Sequence, residues 1–209
     1  MQCGQRQHWS TIWGVNAYHH GHLREELVRH AVELAREKGP EGVVLREVAR
    51  RAGVSHNAAY RHFADRDELL AEVAATGLHE LEEAMLRRLR PWRSMEPAAR
   101  ARRRLNEVGR AYVRFALTEP GLFDVAFSGP VMQQPQDAGP YALLGQVIDE
   151  IVEAGGMPAE RRPGAEVTCW SAVHGFAVLH LHGPLREMPA RERERRLDQM
   201  LATVDLGLR

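Results

Sequence analysis

Cysteine is scarce in this 209-residue chain: there are two, Cys3 and Cys169, far apart in sequence. A disulfide framework is therefore not expected, and a reducing cytoplasm is the expected location. Long apolar runs are missing as well. None approaches the roughly 18–20 residues of a membrane span, so no membrane association is expected. The opening "MQCGQRQHWSTIWGVNA" has only a broken apolar stretch and no small-residue cleavage site, which argues against a secretory signal. Excess charge of one sign is absent too, with 28 Lys and Arg against 28 Asp and Glu. That excludes a protein coated in positive charge but leaves room for a local patch that binds DNA. Lysine is nearly absent, Lys38 standing alone, so arginine carries the positive charge. The sequence also lacks alternating strand patterns, internal repeats, a nucleophile–base pairing, a phosphate loop and carboxylates paired at a useful spacing. An enzyme on an all-helical body is the weaker reading for that reason, and no cofactor is expected.

What the chain does have is helical periodicity and enough apolar residues, 44%, for a sizeable core. Residues 1–17 lack a period and read as a tail. In "LREELVRHAVELAREKG", Leu23, Leu27, Ala31, Leu34 and Ala35 share one face, and Gly39 with Pro40 ends the helix. A second helix is predicted over about 46–52. Gly53 suits the left-handed position that stops it. Ser55 caps a third helix over about 56–63, and Asp65 caps a fourth running from 66 to about 90. Asp67 and Glu68 lie in that helix's first turn, where the dipole favours acids. Five more helices follow: 98–120, stopped at Pro120; the short 121–128; 141–156; 163–183; and 190–208. The expected fold is all-α with about nine helices. Three units are expected: a tail at 1–17, a small helical unit at 18–66 and a larger helical body at 67–209.

The chemistry concentrates in "REVARRAGVSHNAAYRHFADRDELL", Arg46 to Leu70. Small Ala49 lets two helices cross closely, Gly53 makes the turn, and Val48, Ala52, Val54 and Phe63 face inward. This is helix-turn-helix spacing, and it frees the third helix to enter a major groove. Asn57 matches adenine, Arg61 matches guanine or phosphate, and His56 donates or accepts. Tyr60 and His62 suit phosphate oxygens, and Arg66 is placed as a clamp on the backbone. Arg46 belongs to the same expected DNA-binding surface.

The stretch "GHLREELVRHAVELAREKGPEGVVLREVARRAGVSHNAAYRHFADRDELL" resembles the N-terminal domain of TetR-family transcriptional regulators, and "WSAVHGFAVLHL" is similar to the C-terminal type named for Trp-His-Gly, here Trp170, His174 and Gly175. The resemblance spans about residues 19–206. It implies a homodimeric, all-helical repressor on double-stranded operator DNA, with a body that binds a small inducer. By motif position, Ser55, Tyr60, His62 and Arg66 would hold phosphates, and His56, Asn57 and Ala58 would face bases. Val44 departs from the family's usual Ser or Thr, so a cap on the second helix is expected to be missing. Ala59 is smaller than usual, which predicts looser packing under the third helix.

Three further expectations follow. "YHHGH", Tyr18 to His22, has alternating histidines but no acid or cysteine to complete a ligand set, so no metal is expected. Tyr112, Phe115, Phe123, Phe127, Met132, Trp170 and His174, with Phe176, form the candidate ligand cavity. Val167, Trp170, Val173 and Ala177, with Leu197, Leu201 and Val204, are the candidate dimer face. A regulator that answers to a protein partner is the rival reading to a small-molecule inducer.

Overall fold

In a computed structural model, residues 22–89, 91–128 and 138–209 are described, and among them every regular element is helical. In chain order these are α1 (Leu23–Lys38), a 3₁₀ turn (Pro40–Gly42), α2 (Leu45–Arg51), α3 (His56–Tyr60), α4 (Arg66–Leu86), α5 (Pro97–Thr118), α6 (Pro120–Phe127), α7 (Gly139–Glu153), a second 3₁₀ turn (Ala159–Arg161), α8 (Ala165–Leu181) and α9 (Ala190–Gly207). The expected count of nine α-helices holds among these residues. Several ends differ. α3 stops at Tyr60 rather than 63, because the chain turns to bring Phe63 under the helix. Pro120 ends α5 and also opens α6, where its missing N–H costs nothing.

The first three helices close over Leu27, Ala31, Leu34, Val43, Leu45, Val48, Ala49, Ala59 and Phe63, all buried. Fully burying a side chain such as Phe63 is worth about 1.5–3 kcal/mol. Gly39 (φ 66°) and Gly53 (φ 68°) take the left-handed backbone at the two corners. Behind Gly53, the Val54 N–H donates to the Ala49 carbonyl at 3.0 Å and closes the turn.

α4 belongs to both halves. Its first turns put Leu69 and Val73 into the core that includes α1, and its later turns lie against α5, α6 and α7. Gly77 lets α6 come close: a methyl there would sit 3.2 Å from Leu122 and Ala126. α6 in turn rests on α1, since a Cβ on Gly121 would collide with the Ala35 carbonyl. α5 is the central strut of the body, with α4, α7, α8 and α9 around it. At its start, Arg102 pairs with the buried Asp205 at 2.7 Å and also donates to the Gly156 carbonyl, fixing the end of α9. No described helix is long and apolar enough to cross a membrane.

Candidate DNA-reading head and effector cavity

α3 is a short helix held from three sides. At its start, Ser55 Oγ accepts from the Ala58 N–H at 3.2 Å. This cap leaves the hydroxyl proton available to an outside acceptor. Ala59 is buried against the core beneath it. At its end, Arg24 of α1 donates to the His62 carbonyl at 2.5 Å and to Glu72 at 2.7 Å, with its guanidinium 4.3 Å above the Phe63 ring. α1, the end of the reading helix and α4 are thereby joined through one side chain. The following turn is pinned by Asp65, which accepts from the Glu68 N–H at 2.8 Å, and by Glu68, which accepts from the Ala64 N–H at 2.7 Å. At α2 the helix start is Val44, with no side-chain cap, as its residue type dictates.

His56, Asn57, Tyr60 and Arg61 remain outside this frame, all exposed, while Ala58 and His62 are half-buried. The His56 and Tyr60 rings meet edge to face at 4.6 Å, which orients both on one side of α3. The arginines divide in an informative way. Arg24, Arg29, Arg36, Arg50 and Arg51 are each paired with glutamates, the last bridging α2 to Glu37 of α1. Glu47, held by Arg50 and Arg51, is pushed down to about 2. Among the described residues of the head, Arg46 and Arg61 are the arginines whose side chains have neither an acid nor a carbonyl partner, and both are exposed.

Arg66 is a correction to the sequence expectation. Its Nε donates to the Val43 carbonyl at 2.8 Å and its Nη2 to the Pro40 carbonyl at 2.6 Å. The Pro40 carbonyl already accepts from the Val43 N–H at 3.2 Å in the 3₁₀ turn, and Arg66 adds a second donor to it and a donor to the Val43 carbonyl. The side chain is a strut inside the head rather than a clamp reaching for phosphate.

In the body, five expected cavity residues come together. Tyr112 lies at the centre, with ring centroids of Trp170 at 5.1 Å, Phe123 at 5.8 Å, Phe127 at 5.9 Å and His174 at 6.3 Å. Tyr112 Oη and His174 Nδ1 share a hydrogen bond of 2.8 Å. Burial alone pushes the Tyr112 phenol far above its usual range and the His174 imidazole below its own. Both are therefore neutral near pH 7, giving an apolar site with one uncharged polar handle. Beside the cluster lies a space of about 30 Å³, bordered by Met85, Leu105, Asn106, Leu144, Cys169 and Val204 as well as Tyr112 and Trp170. That is about one water's room, far below the roughly 300–1,000 Å³ of ligand pockets.

Phe115 and Phe176 do not join the cluster. Phe115 lines a cleft between α4 and α5 instead. Met132 lies outside the described residues, as do His19, His20 and the tail. Phe176 stacks on His180 instead, at 4.2 Å. Tyr141, 5.6 Å from Trp170, was not anticipated, nor were Met85, Asn106 and Leu144. Single apolar residues on other helices carry no signal until the helices are packed.

The residues expected at a dimer face divide. Val173, Ala177, Leu197 and Leu201 are buried in the chain's own core, whereas Val167 (59% exposed) and Leu206 (61%) point outward with Leu179. Gly175 meets nothing within 4 Å, so it serves no close packing inside the protomer.

A helix-turn-helix with an exposed, partly cationic reading helix, carried on an all-helical body, defines a DNA-binding transcriptional regulator. The comparisons agree. Residues 27–73 match the family described as "Bacterial regulatory proteins, tetR family" and residues 105–204 match the "Tetracyclin repressor-like, C-terminal domain", with which the Trp-His-Gly resemblance is compatible. The chain belongs to the TetR family of bacterial regulators.

Among solved structures, one from Rhodococcus sp. RHA1, described as a protein with unknown function, is 30% identical, with 92% of this chain and 98% of that chain covered and a TM-score of 0.71. A TetR variant from Acinetobacter baumannii AYE in complex with minocycline shares the fold at 19% identity and a TM-score of 0.61, covering 87% of this chain and 93% of that one. An uncharacterized HTH-type transcriptional regulator of Haemophilus influenzae is 43% identical over 79 residues, 36% of this chain. The chain matches about a third of that relative's length, 35%.

Proposed function

We propose that the protein is a homodimeric repressor that binds an operator through α3 and leaves it when a mostly apolar small molecule opens the body. The observation that carries the DNA assignment is the division of the head's arginines. A fold that pairs nearly all its cations and leaves Arg46 and Arg61 free and exposed has kept them for an outside anion, and phosphate is the anion a groove presents. In this reading His56, Asn57 and Ala58 face bases. Ser55, Tyr60, His62, Arg46 and Arg61 approach the backbone or adjacent base edges. The head comprises residues 18–66 and the body 67–209.

The response is a matter of packing. The space beside Tyr112 and Trp170 is far too small for a ligand, so a molecule that enters must displace rings. Phe123 and Phe127 are on α6. α6 is in close contact with α4 at Gly77 and with α1 at Gly121, and Arg36 of α1 is bound to Glu80 and Glu119 at the foot of α6. Movement of α6 has no slack to absorb it and is passed to the head. In a two-fold dimer, tilted heads lose the half-site spacing that both must match. The partner surface is the outward stripe of α8 and α9 with Val167, Leu179 and Leu206. Val167 and Leu179 leave apolar surface on the outer side of α8 that one chain does not cover.

The test is operator binding by the purified protein with and without a panel of neutral apolar compounds, alongside sedimentation. A mass of about twice 23.6 kDa, and release of DNA by compounds that also raise Tm, are expected. A protein released from DNA by a protein partner and by no compound would favour the rival reading.

A further inference from the structure

Where α5 passes between the end of α4 and the start of α9, a groove of about 320 Å³ opens to solvent. It shares no residue with the aromatic cavity. Its floor is apolar, made by buried Val113 and Leu197 and half-buried Leu117. Its walls carry four arginines from three segments: Arg88, just past α4; Arg110 and Arg114 of α5; and Arg193 of α9. The carboxylate in this lining is Glu194, which is exposed. Two of the arginines are engaged, Arg88 with Glu107 at 3.4 Å and Arg110 with Asp198. Arg114 and Arg193 have no acid partner among the described residues. The Nε of Arg193 is moreover buried and without any hydrogen-bond partner. A guanidinium does not lose its proton to relieve that cost, so the N–H is a donor waiting for an acceptor. Past Arg88, Arg114 and Thr118 the groove continues into the α4–α5 cleft, about 580 Å³, with Phe115 on its wall.

We propose that this groove binds an amphiphilic organic anion: a carboxylate or phosphate monoester held between Arg114 and Arg193, with its apolar chain over Val113, Leu117 and Leu197. The planar fork of arginine matches either head group, and the volume falls in the range of small-molecule sites. This is a second site, beyond the effector reading, and selective for charge where the aromatic cavity is selective for its absence.

Isothermal titration of the full chain with octanoate, octyl phosphate, octanol and inorganic phosphate tests it. At least one of the two amphiphilic anions should bind once per chain, at least tenfold more tightly than octanol or inorganic phosphate, and more weakly as salt rises. Which anion binds better identifies the head group. Replacing Arg114→Gln and Arg193→Gln together should weaken binding tenfold or more, whereas Trp170→Ala should not. Arg114→Gln alone is at an exposed position and serves if the double variant does not fold. Octanol binding as well as the anions, or anion binding unchanged in the arginine variants, would overturn the proposal. Anion binding lost in Trp170→Ala alone would also overturn it, by placing the anion in the aromatic cluster, and would leave the effector reading standing.

Discussion

The head and the body of this protein treat their polar and aromatic side chains in opposite ways. In the head, nearly every side chain that can be tied is tied. Arg24 joins α1, the end of α3 and α4, Arg51 joins α2 to α1, Arg66 fills the carbonyls of a turn, and Phe63 is sealed underneath. The reading helix has only five residues, and without such ties so short a helix has little stability of its own. In the body, neutral rings lie against one another beside a space too small for a ligand, with one internal hydrogen bond between Tyr112 and His174. Rings held by contact rather than by directed bonds can be rearranged by a guest. The first region holds a fixed shape for DNA. The second has a shape that can be changed.

The strongest way to break this comparison is to remove the head's seal. Phe63→Ala should cost about 3–5 kcal/mol, read as a fall in the denaturant midpoint, with DNA binding lost as the head loosens. Its exposed neighbour Tyr60 should behave differently: Tyr60→Phe should leave stability within about 0.5 kcal/mol while weakening operator and random DNA alike.

Next in size are the reading residues. Asn57→Ala should cost about 1–3 kcal/mol on the operator and little on random DNA. Arg61→Ala and Arg46→Ala should flatten the log–log salt dependence by about one unit of slope each if they meet phosphate. Arg66→Ala should instead leave the salt slope unchanged and lower Tm. A change of slope there, with Tm intact, would return Arg66 to the phosphate contacts and undo the distinction between strut and reader.

Smaller again is the body's polar handle. Tyr112→Phe leaves the His174 Nδ1 without its partner and should cost about 1–3 kcal/mol of stability. Operator affinity without effector should stay near wild type and the response to effector should change. Loss of operator affinity in the effector-free protein would show that the ring cluster sets the head's resting position as well.

The smallest effect expected is one of pH. Burial lowers the His174 pKa in the folded protein, so the unfolded chain takes up its proton first as pH falls. The contribution is fully present above the unfolded value near 6.5 and is lost as pH falls below it toward the depressed folded value. Tm should decline between pH 7 and 5 more in the wild type than in His174→Gln. Equal declines would remove His174 from the account.

Much of this was legible before any helix was packed. The periodicity of Leu27, Ala31, Leu34 and Ala35 named the buried face of α1. Gly53 and Ser55 named the corner and the cap, because a left-handed turn and an N-cap are local demands met by single residue types. Arg66 read wrongly from its position in the motif. Whether an arginine reaches outward or back is decided by which carbonyls lie within its length, and those of Pro40 and Val43 are more than twenty residues away in sequence. Phe115 and Tyr112 read as companions from their i, i+3 spacing, but α4 packs beside Phe115 while α6 and α8 bring their rings to Tyr112. Val173, Ala177, Leu197 and Leu201 read as part of a dimer face and are buried in the chain's own core, because an apolar stripe does not say in sequence whether its own chain or a partner covers it. By itself, then, the sequence determined the all-helical fold, the reading corner and the residues on α3, since these rest on spacing within one or two turns. The tertiary structure alone decided which arginines stay free, which rings share a cavity and which apolar stripe faces outward. Those outcomes depend on where distant helices meet, and the periodicity of a single helix does not encode that.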